Sequence, residues 1–166
     1  MDNYLNDMDI MKEYASINRR AIADTIIRAM KWKEKDSFET VHNYVDMVDR
    51  ILRKGAVSAR KGERLLIPMN MRDGSLLCEG LGNPDWNCSA PHGAGRLYPR
   101  KKAREELTLT RFKEEMAGVF STCVSGKTLD ESPSAYKPMS MIMSSLGETA
   151  RVKSVLKPVY NYKAGE

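Results

Sequence analysis

The sequence predicts an α+β domain, and three observations support that class. Apolar residues recur at helical spacing through the first thirty positions, and short runs of β-type residues separated by turns follow them. Strands and helices do not alternate in the rhythm of a parallel α/β sheet. With 166 residues, of which 42% are hydrophobic and 30% charged, the chain can bury a sizeable core and has a globular composition.

The first predicted element is helical. Apolar side chains recur every three, four or seven residues from Leu5 onward, and no Gly or Pro interrupts Tyr4 to Met30. We expect one long helix or two joined helices there. The short apolar stretch that begins at His42 leads to two Lys-Gly pairs, which predict a strand or hairpin flanked by turns.

The middle of the chain consists of strands and turns. The runs LLIPM (Leu65 to Met69) and SLLCEG (Ser75 to Gly80) predict short strands joined by a polar turn. A long loop rich in Gly and Pro occupies positions 80–95. Loops of this length inside a domain are either functional or disordered.

Three further elements are predicted in the last part of the chain. A charged helix is expected from Pro99 to Met116, and a proline-containing turn should open a methionine-rich helix near position 139. The segments Val152 to Leu156 and Val159 to Tyr162 are expected to form a closing strand pair.

Charge and cysteine content limit the functional class. The net charge is +5, and the excess lies in two basic runs, Arg50 to Arg64 and Arg96 to Arg104. Each run is either solvated surface or part of a polyanion-binding groove. The three cysteines are widely spaced, which argues against a disulfide framework or a structural zinc site and favours a reducing cytoplasm. The apolar runs are too short to span a membrane, and the acidic N-terminus does not resemble a secretory signal.

The two histidines are the candidates for chemistry. His92 lies in SAPHGAGR, where flanking glycines let an anion approach the backbone and Arg96 adds a cation. A helix starting near Pro99 would add its N-terminal dipole. This pattern predicts a nucleophilic or acid–base histidine beside a phosphate, and the alternative is a surface histidine in a flexible loop. His42 is either a metal ligand or a buried, hydrogen-bonded histidine, and it cannot form a metal site alone.

Five motifs occur in a recognisable order: HNYVD, RKGAVSARKGE, GNPDWNCSAPHGAGR, DESPSAYK and a terminal KAG. In this order and spacing they resemble the RtcB-type RNA-splicing ligases, and the opening helical stretch resembles the region that precedes a metal histidine there. The resemblance covers nearly the whole chain and implies the fold of the C-terminal part of such a ligase. Residues 1–166 would form one region, with a helical lead-in at 1–35 and a nucleotide-binding part at 36–166.

The resemblance implies a GTP- and manganese-dependent ligase for tRNA splicing or RNA repair. Such enzymes join a 2′,3′-cyclic phosphate or 3′-phosphate RNA end to a 5′-hydroxyl end. His92 would be the nucleophile that carries GMP, and His42 a Mn²⁺ ligand with Asn43 beside the nucleotide. The other implied nucleotide contacts are Pro68, Met69, Asn70, Met71, Ser75, Gly93, Ala94, Gly95, Tyr136 and Lys163.

The chain departs from the family pattern in one loop and in its extent. Met69 and Arg72 stand where the family has glycines, and Asn70 replaces a serine. The side chains at 69 and 72 would either crowd the nucleotide or shift the loop. The N-terminal part that supplies the remaining metal ligands is missing, which implies a fragment, split subunit or excised domain that is inactive alone.

The expected partners are tRNA-like or broken RNA ends, and a complementing N-terminal ligase chain or a second copy; no membrane is expected. The alternative is a non-catalytic remnant that binds nucleotide or RNA, or that pairs with an intact ligase.

Overall fold

The α+β prediction is confirmed by a computed structural model, which describes residues 2–163. In this part of the chain the α-helices are α1 (Asp2–Ala29), α2 (Arg100–Glu106), α3 (Leu109–Glu115) and α4 (Met139–Ser145). The strands are β1 (His42–Asp46), β2 (Ile51–Ser58), β3 (Arg64–Asn70), β4 (Gly74–Gly80), β5 (Ser89–Pro91) and β6 (Ala150–Leu156). Ala164 and Gly165 of the predicted KAG motif lie outside the described residues. The proposed division at residue 35 stays a prediction.

Helix α1 is one continuous helix, which agrees with the first of the two alternatives. It lies against β1 and is tied to the following connector by ion pairs of Arg19 with Glu39 and of Arg20 with Glu34. Its opposite face leaves large apolar side chains exposed, among them Ile10, Tyr14 and Ile17. Within residues 2–163 no helix combines the length and the apolar character that a membrane crossing requires.

The first sheet has the antiparallel order β1-β2-β5. Strand β5 pairs with β2 so that Pro91 lies opposite Ala56, and the next residue, His92, therefore lies at the end of the sheet beside Gly55. The long loop at 80–95 is thus ordered: it contains β5 and a single 3₁₀ turn, Pro84–Trp86. A rigid sheet edge, rather than a loose glycine loop, positions His92.

The second sheet has the antiparallel order β3-β4-β6 and supplies half of the buried residues of the main core. Both strands predicted from LLIPM and SLLCEG are present, because their alternating residues bury one face. The fully buried side chains of this core include Val57, Leu65, Ile67, Leu76 and Cys78. A smaller core forms around Phe112 between α2, α3 and the 3₁₀ segments Gly126–Glu131 and Pro133–Ala135.

Two predicted elements are wrong. The single helix expected from Pro99 to Met116 is broken into α2 and α3, because Leu107 turns into the core and Thr108 caps α3 by accepting a hydrogen bond from the Arg111 N–H. The predicted second closing strand is also absent from the described residues. That tail instead pairs with Phe120, whose N–H donates to the Val159 carbonyl.

Candidate functional site

The His92 ring is held by the backbone of β2. Its Nδ1 lies 2.7 Å from the Gly55 carbonyl oxygen. A carbonyl can only accept a hydrogen bond, so Nδ1 carries the hydrogen. In the neutral ring the second nitrogen, Nε2, then has its lone pair free for a metal or an electrophile.

Gly55 is favoured at this position by its backbone conformation. Its φ of +68° is left-handed and would strain other residues, whereas a Cβ there would only make an ordinary contact with the His92 ring, at 3.7 Å. The Gly55 N–H donates to Asn43 Oδ1 over 2.9 Å. Asn43, predicted to lie beside the nucleotide, therefore fixes the backbone that orients His92.

His42 lies directly against His92, and the ring centroids are 5.1 Å apart in a stacked arrangement. Burial, and then the proximity of His92 and Arg19, lowers the His42 pKa, which keeps its imidazole neutral and able to bind a metal. Across residues 2–163, however, no group of three His, Cys, Asp or Glu side chains could hold a metal ion. The donors of the described chain therefore do not complete a manganese site.

A cavity of about 670 Å³ opens beside His92, a size typical of small-molecule sites. The HGAG segment forms one wall at close range, since the Ala94 N–H donates to the Pro68 carbonyl over 3.0 Å. A Cβ on Gly93 would lie 3.1 Å from that same oxygen. His42 and Asn43 lie outside the lining of this cavity. The other eleven predicted residues line it: Pro68, Met69, Asn70, Met71, Ser75, His92, Gly93, Ala94, Gly95, Tyr136 and Lys163.

The three departures, at the end of β3 and in the turn that follows it, leave the cavity open. Met69 is 3% exposed and packs into the main core. Asn70 Oδ1 accepts the backbone N–H groups of Arg72 and Asp73, and so stabilises the turn. The Arg72 guanidinium pairs with Asp73 at 2.7 Å and does not border the cavity. The crowding expected from Arg72 is therefore not observed.

A buried carboxylate, that of Glu131, borders the cavity. Glu131 accepts hydrogen bonds from Arg96 Nη2 and from the Tyr136 hydroxyl, each over 2.6 Å, and pairs with Lys163 at 3.2 Å. Burial alone would raise the Glu131 pKa, but the Tyr136 hydrogen bond and the two cations lower it. Burial and Glu131 raise the Tyr136 pKa, so its hydroxyl stays a donor.

Two features predicted around His92 are arranged differently. Arg96 borders the cavity, but its charge is paired with Glu131 rather than left for a phosphate. The start of α2 does not border the cavity, and Arg100 there pairs with Asp130 at 2.7 Å. The predicted dipole contribution of this helix is therefore wrong.

Sequence reasoning missed Glu131 and Asn161. Glu131 belongs to the DESPSAYK motif, so the motif itself was a usable signal. Asn161 borders the cavity, and its buried Oδ1 has no hydrogen-bond partner among the described residues. A buried acceptor without a donor is unusual and marks a position where a ligand N–H or O–H would fit.

The basic runs are partly structural. Arg53 and Arg60 both bind Asp46, and Arg100 and Arg104 both bind Asp130, so these arginines join segments of the fold. The part of these runs that stays exposed to solvent includes the lysines Lys54, Lys61, Lys101 and Lys102. A polyanion surface would depend on these lysines.

Comparisons with known proteins agree with the motif pattern. The model of the family described as tRNA-splicing ligase RtcB matches residues 1–164. The RNA-splicing ligase RtcB of Escherichia coli (strain K12) is 30% identical over 95% of this chain and 43% of that protein. The RNA-splicing ligase RtcB2 of Escherichia coli (strain ATCC 25922) is 28% identical over 96% of this chain and 45% of that protein. The chain spans less than half the length of these curated relatives.

Proposed function

The chain belongs to the tRNA-splicing ligase RtcB family, and from that premise we propose that it is the nucleotide-carrying part of a GTP- and manganese-dependent RNA ligase. The ligase would join a 2′,3′-cyclic phosphate or 3′-phosphate RNA end to a 5′-hydroxyl end, in tRNA splicing or RNA repair. One observation carries the proposal. The Gly55 carbonyl fixes the hydrogen on His92 Nδ1, which leaves Nε2 as a nucleophile beside a cavity of nucleotide size.

In this proposal His92 Nε2 attacks the α-phosphorus of GTP. A P–N bond forms, the bond from that phosphorus to the bridging oxygen breaks, and pyrophosphate leaves with the electron pair. Positive charge develops on the imidazole, and the Gly55 carbonyl stabilises it through the Nδ1 hydrogen. His92 later releases GMP to the RNA end.

The charged end of the cavity suits guanine. Asn161 Oδ1 and the Glu131 carboxylate are acceptors for the N–H groups of the base, and Lys163 is a donor for its O6 oxygen. Adenine offers an amino group in place of O6, so Lys163 would discriminate between the two bases. This arrangement favours GTP over ATP.

The metal requires a second source of ligands. Manganese, when bound, polarises phosphates and neutralises developing charge. His42 provides one imidazole, and the described residues do not complete the site. We therefore assign the other ligands to a complementing N-terminal ligase chain. The incomplete donor set also favours a second candidate function, a non-catalytic module that binds nucleotide or RNA.

Intact-mass spectrometry distinguishes the two functions. The chain is mixed with GTP, Mn²⁺ and the part of the Escherichia coli K12 relative that lies outside the matched region, and one covalent GMP is expected. The adduct should be labile in acid and stable in alkali, as a phosphoramidate is. His92→Ala should abolish it, whereas His42→Ala should reduce it with partial recovery at high Mn²⁺.

The matched controls test the geometry. Asn43→Ala removes the acceptor for the Gly55 N–H and should slow adduct formation without shifting its position. An undiminished adduct in His92→Ala, or GMP on another residue, contradicts the proposal. Nucleotide binding without any adduct in the complemented mixture favours the non-catalytic module.

A further inference from the structure

A second groove, of about 470 Å³, lies against β2 and β5 and begins next to His92. Its walls include Gly55, whose carbonyl holds the His92 ring, and Pro91, which precedes His92 in the chain. They also include Lys54 and the side chain of Trp86. The groove is separate from the nucleotide cavity, which Lys54 and Trp86 do not border.

Trp86 is fixed in place but not buried. Its indole Nε1 donates to Glu148 Oε2 over 2.9 Å, and the residue is 54% exposed. It ends the 3₁₀ turn Pro84–Trp86 and belongs to neither core. An aromatic ring held by its polar edge while its surface stays open is suited to stacking a planar ligand.

The loop that presents Trp86 has an unusual and well-supported backbone. Asn87 and Cys88 both have left-handed φ values, 49° and 45°, which persist only where the surroundings over-determine them. Here the Cys88 N–H donates to the Asn83 carbonyl, and the Asn87 carbonyl accepts from the buried guanidinium of Arg53. Such strain is concentrated at functional sites, and here it presents a tryptophan to solvent.

Lys54 supplies charge at the same place. Its side chain is exposed and has no carboxylate partner among the described residues, unlike its neighbour Arg53, which is paired with Asp46. Glu148, the carboxylate at Trp86, accepts the indole N–H and forms no ion pair with Lys54. A stacking ring beside an uncompensated lysine is the combination that binds single-stranded nucleic acid, because the ring stacks a base and the ammonium neutralises a phosphate.

We propose that Trp86 and Lys54 bind an unpaired nucleotide of the RNA strand whose end lies at His92. This inference rests on the proposed function for the identity of the strand and adds a position where the RNA is held. The site would contact only the face of a base and one phosphate, which all nucleotides share. It should therefore bind RNA without sequence preference.

Fluorescence of Trp86 tests the site directly. The chain contains two tryptophans, so the variant Trp32→Phe reports Trp86 alone. A single-stranded RNA oligonucleotide with a 5′-hydroxyl, added without GTP or Mn²⁺, should quench this fluorescence saturably. An oligonucleotide of equal length with abasic sites should bind with little quenching. Trp86→Ala should weaken RNA binding about tenfold, and Trp86→Tyr should retain most of it.

The charge is tested by salt. Lys54→Ala should lower the slope of log affinity against log salt by about one unit, whereas the matched change Lys113→Ala on α3 should leave it unchanged. RNA binding with unquenched Trp86, or with equal affinity in Trp86→Ala, overturns the inference. So does quenching by the complementing ligase chain that RNA cannot reverse, because the groove would then be a protein contact. Formation of the His92 adduct requires no RNA, so it reports the proposed function independently.

Discussion

Replacing Arg53 by methionine should destabilise the protein by about 3 kcal/mol. The Arg53 side chain is fully buried, and its Nη1 lies 2.5 Å from Asp46 Oδ2. Removing one partner of a buried ion pair costs about 3–5 kcal/mol. The lower end applies because Asp46 keeps Arg60, also at 2.5 Å, and two backbone N–H donors. The change also removes the hydrogen bonds from Arg53 to Ser89 Oγ and the Asn87 carbonyl.

Urea unfolding followed by circular dichroism measures this loss, and thermal melting should show a Tm about 6–12 °C lower. Arg60→Met is the matched control because it removes a cation from the same carboxylate. The Arg60 side chain is 42% exposed, so its loss should cost at most about 1 kcal/mol. If the two variants were equally stable, or if Arg53→Met remained within 1 kcal/mol of the wild type, burial would not determine the strength of this pair.

Two further predictions concern acid and thiols. Burial acts to raise the pKa values of Asp46 and Asp130, but hydrogen bonds and charges from their arginines and backbone donors lower both below the ordinary 3.8. Their contribution to stability should be complete above about pH 5, begin to fall near pH 3.8 and be lost as the pH passes through the lower pKa values of the folded protein. An unchanged Tm between pH 7 and pH 3 would contradict this. Burial raises the Cys78 pKa to about 11, whereas Cys88 and Cys123 are partly exposed. A disulfide reagent at pH 8 should therefore titrate two thiols quickly and the third only after unfolding; three fast thiols would refute this.

The elements that were predicted correctly from the sequence are those whose buried and exposed residues alternate regularly within a few positions. The runs LLIPM and SLLCEG alternate on either side of a turn that contains Arg72 and Asp73, and the strands follow from that local pattern. The break at Leu107 and Thr108 has no Gly or Pro to mark it, because it depends on where Leu107 meets a core built from distant segments. The closing strand failed for the same reason, since the tail pairs with Phe120.

The site shows a similar division. Motif residues such as Gly93 and Tyr136 were assigned to one cavity because the resemblance supplied the long-range grouping, and the structure brings them together. Asn161 belongs to none of the motifs, and it reaches the cavity only because the C-terminal tail pairs with Phe120. The role of Asn43 was also out of reach, because the hydrogen bond to Gly55 depends on the register of β1 and β2.

The carbonyl that orients His92 has a consequence for how such a site can change over evolutionary time. In serine hydrolases a carboxylate side chain holds the histidine, so one base change can delete it and a low pH can protonate it. Here the orienting oxygen belongs to the main chain at Gly55, so it neither titrates nor disappears on substitution. Mutation can remove this oxygen from His92 only by changing the path of strand β2. Gly55 is the position where that would happen most easily, because its left-handed φ is unfavourable for almost any other residue. A lineage that had lost ligation would therefore keep an oriented histidine long after its metal ligands had decayed.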